Sequence, residues 1–211
     1  CARPAGARWV IAGAIVALAI VSFRQSWVWR DAPSLMQHTM QVSPRSWMAP
    51  NNLASHLIEI GARDRAGGSA ELDEAERLLR HALTLRPNYS EAYDNLAAIE
   101  MVRAERVLER VRMRRSDDLD TIERRLRLAN DHLNEARRLG SLSNSGVMSR
   151  IRVAEMFAEV EWLRGNRESS LMLLDQAIKV SRDFLEKKPE HRVVTDWLKR
   201  LEQTRAAIAA K

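Results

Sequence analysis

Along most of this chain apolar residues return every three or four positions, the spacing that gathers them on one face of a helix. Ala75, Leu78, Leu79, Ala82, Leu83 and Leu85 form one such stripe before Pro87 stops it. Ile122, Leu126, Ala129, Leu133 and Ala136 form another. The pattern predicts helices over 46–61, with Gly61 as a left-handed cap, and over 72–88. A long helix follows at 90–113 with Ser90 as its N-cap, and others at 118–140, 150–165, 167–189 and 190–209. Pro33 and Pro44 bracket a shorter helix of two turns. No segment alternates with the period of a strand. The chain therefore reads as all-α.

The exception to this periodicity lies near the start, where fifteen positions from Trp9 to Phe23 carry no charge. As a helix they rise roughly 22 Å, short of a hydrocarbon core of roughly 30 Å. The flanks supply the difference. Arg8 and Arg24 can extend toward headgroups, and Trp9, Trp27 and Trp29 place indoles where an apolar ring with one N–H donor is favoured. From Ala7 to Trp29 the chain would span roughly 34 Å, enough for a tilted crossing. A cleavable signal requires small residues just past the apolar run, and Phe23, Arg24 and Gln25 occupy that place. The expectation is a retained transmembrane anchor, and the bilayer is the first partner. Arg3 and Arg8 balance Arg24 and Arg30, so charge leaves the orientation open. The domains expected are an anchor with its interfacial flank (1–30), a linker (31–45) and a helical domain (46–211).

Composition supports this division. Aromatic residues make up 5% of the chain and there are 8 glycines and 6 prolines, which suits helices joined by short turns. The single cysteine, Cys1, excludes an internal disulfide. A net charge of +6 invites a nucleic-acid reading, but its distribution argues against one. Between Met101 and Gly140 eleven arginines are mixed with eight acidic residues, the pattern of solvated helix faces laced with weak ion pairs. No nucleic-acid partner is expected.

Candidate chemistry is sparse. His38, His56, His81, His132 and His191 show no metal-ligand spacing, and no glycine-rich phosphate loop follows a strand. Asp117, Asp118 and Asp120 sit where a helix N-terminus welcomes negative charge, and Glu159 and Glu161 read as surface residues. Neither catalytic residues nor a metal or other cofactor are expected.

Internal self-similarity gives the helices a frame. Asn52, Leu53, Ala54, Leu57 and Gly61 are followed by Ala75, Leu79, Ala82, Leu85 and Pro87; Ala92, Tyr93, Asn95, Leu96 and Ala97 restart the register. Ala154, Phe157, Ala158, Trp162 and Gly165, then Leu174, Ala177 and Val180, begin a third unit. Small residues let paired helices approach closely while the large ones fill the seams. These units resemble tetratricopeptide repeats (TPR), most closely over 46–97, less over 151–180 and least over 100–140. The resemblance implies a TPR-like α-solenoid of about three irregular helix hairpins and a capping helix. Asn52 and Asn95 share one position on the first helices of two units. In some members of the repeat family an asparagine there hydrogen-bonds an extended peptide.

The junction carries a second resemblance. Arg24, Trp29, Arg30, Asp31, Leu35, Ser43, Pro44, Asn52 and Leu53 follow one another as in the link between the last transmembrane helix and the repeats of polytopic glycosyltransferase-C-like membrane proteins. This implies repeats on the periplasmic side of a bacterial inner membrane. In that group the catalytic acids lie between earlier transmembrane helices, which these residues do not include.

The leading expectation is a non-enzymatic, single-pass membrane protein acting as a scaffold, an accessory or stabilising subunit of a larger membrane protein complex. The alternatives are the C-terminal part of a polytopic sugar transferase, which a chain starting without methionine favours, and a periplasmic peptide-binding adaptor using Asn52 and Asn95.

Overall fold

A computed structural model describes residues 5–64, 68–114, 117–140 and 143–210, with side chains from residue 9 onward. Cys1 and Arg3 lie outside the described residues, as does the side chain of Arg8. Among the described residues there are nine helices and no strand: α1 Ala5–Val28, α2 Ala32–Val42, α3 Met48–Arg63, α4 Ser69–Leu85, α5 Ser90–Arg112, α6 Leu119–Leu139, α7 Asn144–Leu163, α8 Arg167–Lys187 and α9 Arg192–Ala209.

Capping side chains set several helix starts. Asp31 accepts the Ser34 N–H at 2.8 Å to open α2. Asp118 accepts the Thr121 N–H at 3.1 Å to open α6, so its role is the expected one at a helix N-terminus. Ser143 caps α7 through the Gly146 N–H at 3.0 Å, which starts that helix six residues ahead of the expected Arg150. In α9 the His191 ring nitrogen accepts the Val194 N–H, and the helix opens at Arg192 where Glu190 was expected.

Two expected caps are corrected. Ser90 is the first residue of α5 and Tyr89 holds the cap position, with no side-chain bond. Gly61 lies inside α3, which runs on to Arg63. Its reason for being glycine is packing: a Cβ there would sit 2.9 Å from the Cγ and Cδ2 of Leu72 and 3.0 Å from the Gly68 carbonyl oxygen. α3 and α4 can meet this closely only without a side chain at 61. α2 is also longer than the expected two turns, with eleven residues.

Helices pack in sequential pairs, α3 with α4, α5 with α6 and α7 with α8, while α9 lies on α8 and α2 on α3. The first members of the pairs also touch in succession, α3 with α5 and α5 with α7. Each seam has its own apolar cluster. Leu53, Leu72, Leu79, Leu96 and Ile99 fill the first; Leu108, Ile122, Leu126, Met156 and Val160 fill the middle; Ile151, Leu174, Phe184, Val194 and Leu201 fill the last. All five stripe residues of α6, from Ile122 to Ala136, are fully buried. Trp162 and Trp197, the expected seam fillers, pack against the last cluster.

The arginines do more than the sequence suggested. In-helix pairs of the expected kind exist, such as Arg63 with Glu59 and Arg138 with Glu135. Many others bridge helices instead. Arg103 of α5 reaches Asp73 and Glu76 of α4 at 2.5 and 2.7 Å; Arg164, at the end of α7, reaches Asp120 and Glu123 of α6, both at 2.6 Å. Arg112 and Arg152 tie α5 to α7 through Glu159 and Glu105. Arg205 and Arg182 tie α9 to α8 through Asp175 and Glu202. Arg106 donates to the carbonyl oxygens of Gly61 and Asp64 where α3 ends. The expectation of solvated faces laced with weak ion pairs is met by the in-helix pairs, while the other charges staple successive helices.

α1 stands apart. It packs against α2, and every residue from Trp9 to Trp27 is exposed. The stretch Trp9–Val28 is long and apolar enough to cross a membrane.

Candidate functional site

Two local arrangements hold residues singled out in the sequence, and a third holds residues that were not. The first is the elbow between α1 and α2. Phe23 and Trp27 meet edge to face with centroids 6.4 Å apart, and the Arg30 guanidinium lies 5.5 Å from the Trp27 ring centre. Arg30 Nε also donates to Asp31 at 2.9 Å, which joins the end of the apolar helix to the cap of α2. Trp9, Arg24, Trp27 and Trp29 are all exposed, one tryptophan at the start of the apolar stretch and two at its end. The arrangement presents aromatic rings and cations at the rims of a continuous apolar surface.

The second arrangement is an asparagine cluster on α3 and α5. Asn95 Nδ2 donates to Asn51 Oδ1 at 3.0 Å; Asn51 Nδ2 donates to the Tyr89 hydroxyl at 3.2 Å and to Asn52 Oδ1 at 3.3 Å. The two expected residues are thus brought to one hub, and the hub is a residue that the sequence reading missed. Asn51 is buried while Asn52 is exposed. The helical period carried the signal, because Asn51 stands three and seven positions before the buried Ala54 and Ile58, in phase with the core. Beneath the cluster, Trp47 packs edge to face on Tyr89 at 4.5 Å, and Arg86 stacks 4.2 Å from the Trp47 ring centre. Burial, and then the neighbouring Glu91, raises the Tyr89 phenol far above its ordinary range, so it stays a neutral acceptor and donor. Among the described residues no protein group takes Asn52 Nδ2 or Asn95 Oδ1. One donor and one acceptor of this kind are what a peptide unit can pair with.

The third arrangement joins α5 to the start of α7. Asp94 is buried, and its Oδ2 accepts the Ser143 hydroxyl at 2.6 Å. Among the described residues its Oδ1 has no hydrogen-bond partner. Gly146 closes over this carboxyl, and a Cβ on it would fall 2.6 Å from Oδ1. Burial raises the Asp94 pKa above the usual carboxylate range, only partly offset by the Ser143 bonds. The folded state therefore holds this proton more tightly than the unfolded chain does. The contribution to stability is full at low pH and declines as pH rises through the raised folded value. Asp94→Asn, which keeps an acceptor for Ser143 and removes the charge, is expected to raise the melting temperature at pH 7. That advantage should vanish in acid, where Asp94 is itself neutral. Melting curves of both proteins from pH 4 to 8 check this, and a constant difference across the series would contradict it.

His132 is half-buried with its ring 6.3 Å from Tyr93, and burial lowers its pKa. No cluster of three or more His, Cys, Asp or Glu side chains that could hold a metal ion occurs among the described residues. No protein-family model matches the chain, and no curated protein matches it.

Proposed function

We propose that this protein is a membrane-anchored TPR-like α-solenoid that serves as a non-enzymatic scaffold, an accessory or stabilising subunit of a larger membrane complex. One observation carries the reading: α1 is a continuous apolar helix whose whole span is exposed, attached through α2 to helix pairs that bury their own apolar faces. Such a surface needs lipid or other membrane helices to cover it. Ala12, Gly13, Ala14, Ala17 and Ala19 make it a surface that a second helix can approach closely. Gly13 has no atom of this chain within 4 Å of where a Cβ would stand, so the helix is open to a neighbour at that position. The pairwise packing and the successive contacts of α3, α5 and α7 support a repeat solenoid. The periplasmic side of a bacterial inner membrane is where the junction's resemblance would put it.

The test is isolation from its own membrane in mild detergent. The expected result is a complex larger than the monomer, with other membrane subunits identified by mass spectrometry. A monodisperse monomer with no companion would sink the scaffold reading.

A further inference from the structure

Many of the chain's charges pair within or across helices, and in one groove several cations do not. It opens at one end of the α6, α7 and α8 packing, with a volume of about 550 Å³. Its rim carries Arg137, Arg150, Lys187 and Lys188, and its apolar floor is made by Val147, Val180 and Phe184. Lys188 is held in place, donating to Asn144 Oδ1 at 2.6 Å with its ammonium 5.9 Å from the Phe184 ring centre. Arg137, Arg150 and Lys187 have no carboxylate at ion-pair distance among the described residues, unlike the guanidiniums that staple the neighbouring seams. The undescribed positions carry no acidic side chain that could supply one. Arg150 is half-buried, and its pKa is lowered by burial and by the nearby Arg137. Holding a desolvated guanidinium beside a second cation is costly without an anion to face them.

We propose that this groove binds an acidic segment of a protein partner, with one apolar side chain on the Phe184 floor and flanking carboxylates on Arg137, Arg150 and Lys187. Charge complementarity selects the acid, and the apolar floor selects a peptide over an anion without a hydrophobic part. Asp183, which also lines the groove, can accept a backbone N–H of the segment. It would repel a uniformly anionic surface such as a lipid bilayer. The proposal rests on the scaffold reading for its view of the ligand as part of a subunit.

The test uses the full chain in detergent against a synthetic peptide array. In it Phe, Leu, Ile or Val is flanked on each side by two Asp or Glu residues. Two companion arrays replace the acids by Lys or the apolar residue by Ala. Capture of the acidic apolar peptides alone is expected, weakening as salt is raised. Arg137→Gln and Arg150→Gln should each weaken it about tenfold, with helix content unchanged. No capture of any acidic member, equal capture of the Lys array, or unchanged binding by the double variant would overturn the proposal. So would binding by phosphatidylglycerol vesicles alone. If the double variant copurifies with the same subunits as the natural chain, the groove assignment fails and the scaffold stands. If no subunit copurifies at all, it is the scaffold that fails.

Discussion

Glu100→Ala is expected to lower the stability of the helical domain by about 3 kcal/mol, the cost of breaking a buried ion pair by removing one partner. Glu100 is 3% exposed on α5. One oxygen accepts from Arg103 at 2.7 Å and the other from Arg125 of α6 at 2.8 Å. Arg103 in turn holds Asp73 and Glu76 of α4, so Glu100 joins α5 to α6 directly and supports the arginine that joins α5 to α4. Without it Arg103 keeps two acids, and Arg125, already partly exposed, can turn to solvent. These escapes place the loss at the lower end of the range for buried pairs. Glu100→Gln keeps the shape and one acceptor but aims an amide N–H₂ at a guanidinium, so a smaller loss of about 2 kcal/mol is expected. Urea unfolding followed by circular dichroism measures both. A double-mutant cycle with Arg125→Ala should show the two side chains coupled. An alanine variant within about 0.5 kcal/mol of the natural chain, as for an ordinary surface change, would show that Glu100 is not a structural link.

The same residue marks where the sequence stops being readable. The core stripe of α6 was legible because its information is local: five apolar residues at helical spacing must share one face, and all five are buried. The apolar span of α1 was legible for a like reason, since an uninterrupted run needs no partner to be recognised. The role of Glu100 was not, because one partner stands 25 residues away on α6, and the other, Arg103, itself reaches acids 27 and 30 residues from it on α4. Within one helix an arginine three or four positions from a glutamate suggests a surface pair, and only the fold shows that Arg103, Arg152 and Arg164 reach across a seam. Gly61 failed differently. Near a helix end a glycine suggests a left-handed cap, whereas here the deciding fact is the Leu72 side chain of another helix 2.9 Å from its missing Cβ. The asparagine cluster lies between these cases. Repeat register pointed to Asn52 and Asn95, both of which bond to Asn51, while the period of α3 alone singles out Asn51 as the buried member.

The proposed anchor makes the largest functional effect expected for this chain. Leu18 lies near the middle of Trp9–Val28 and is 66% exposed, so nothing in the chain itself would shelter a charge placed there. Leu18→Asp should cost roughly 3 kcal/mol of insertion free energy, and adding Ile15→Asp brings the loss to roughly 6 kcal/mol, about four orders of magnitude in partitioning. The double variant is expected in the soluble fraction after carbonate extraction, while Leu18→Ala remains with the membrane. Thermal unfolding of the helix pairs should barely change in either variant. α1 meets the rest through α2, and none of the apolar clusters around Leu79, Leu126, Leu133 and Leu174 includes a residue of α1. That separation makes the experiment decisive. A double variant that stays membrane-bound would show that something other than α1 anchors the chain. One that leaves the membrane but also melts early would show that α1 is part of the folded core and not an independent anchor.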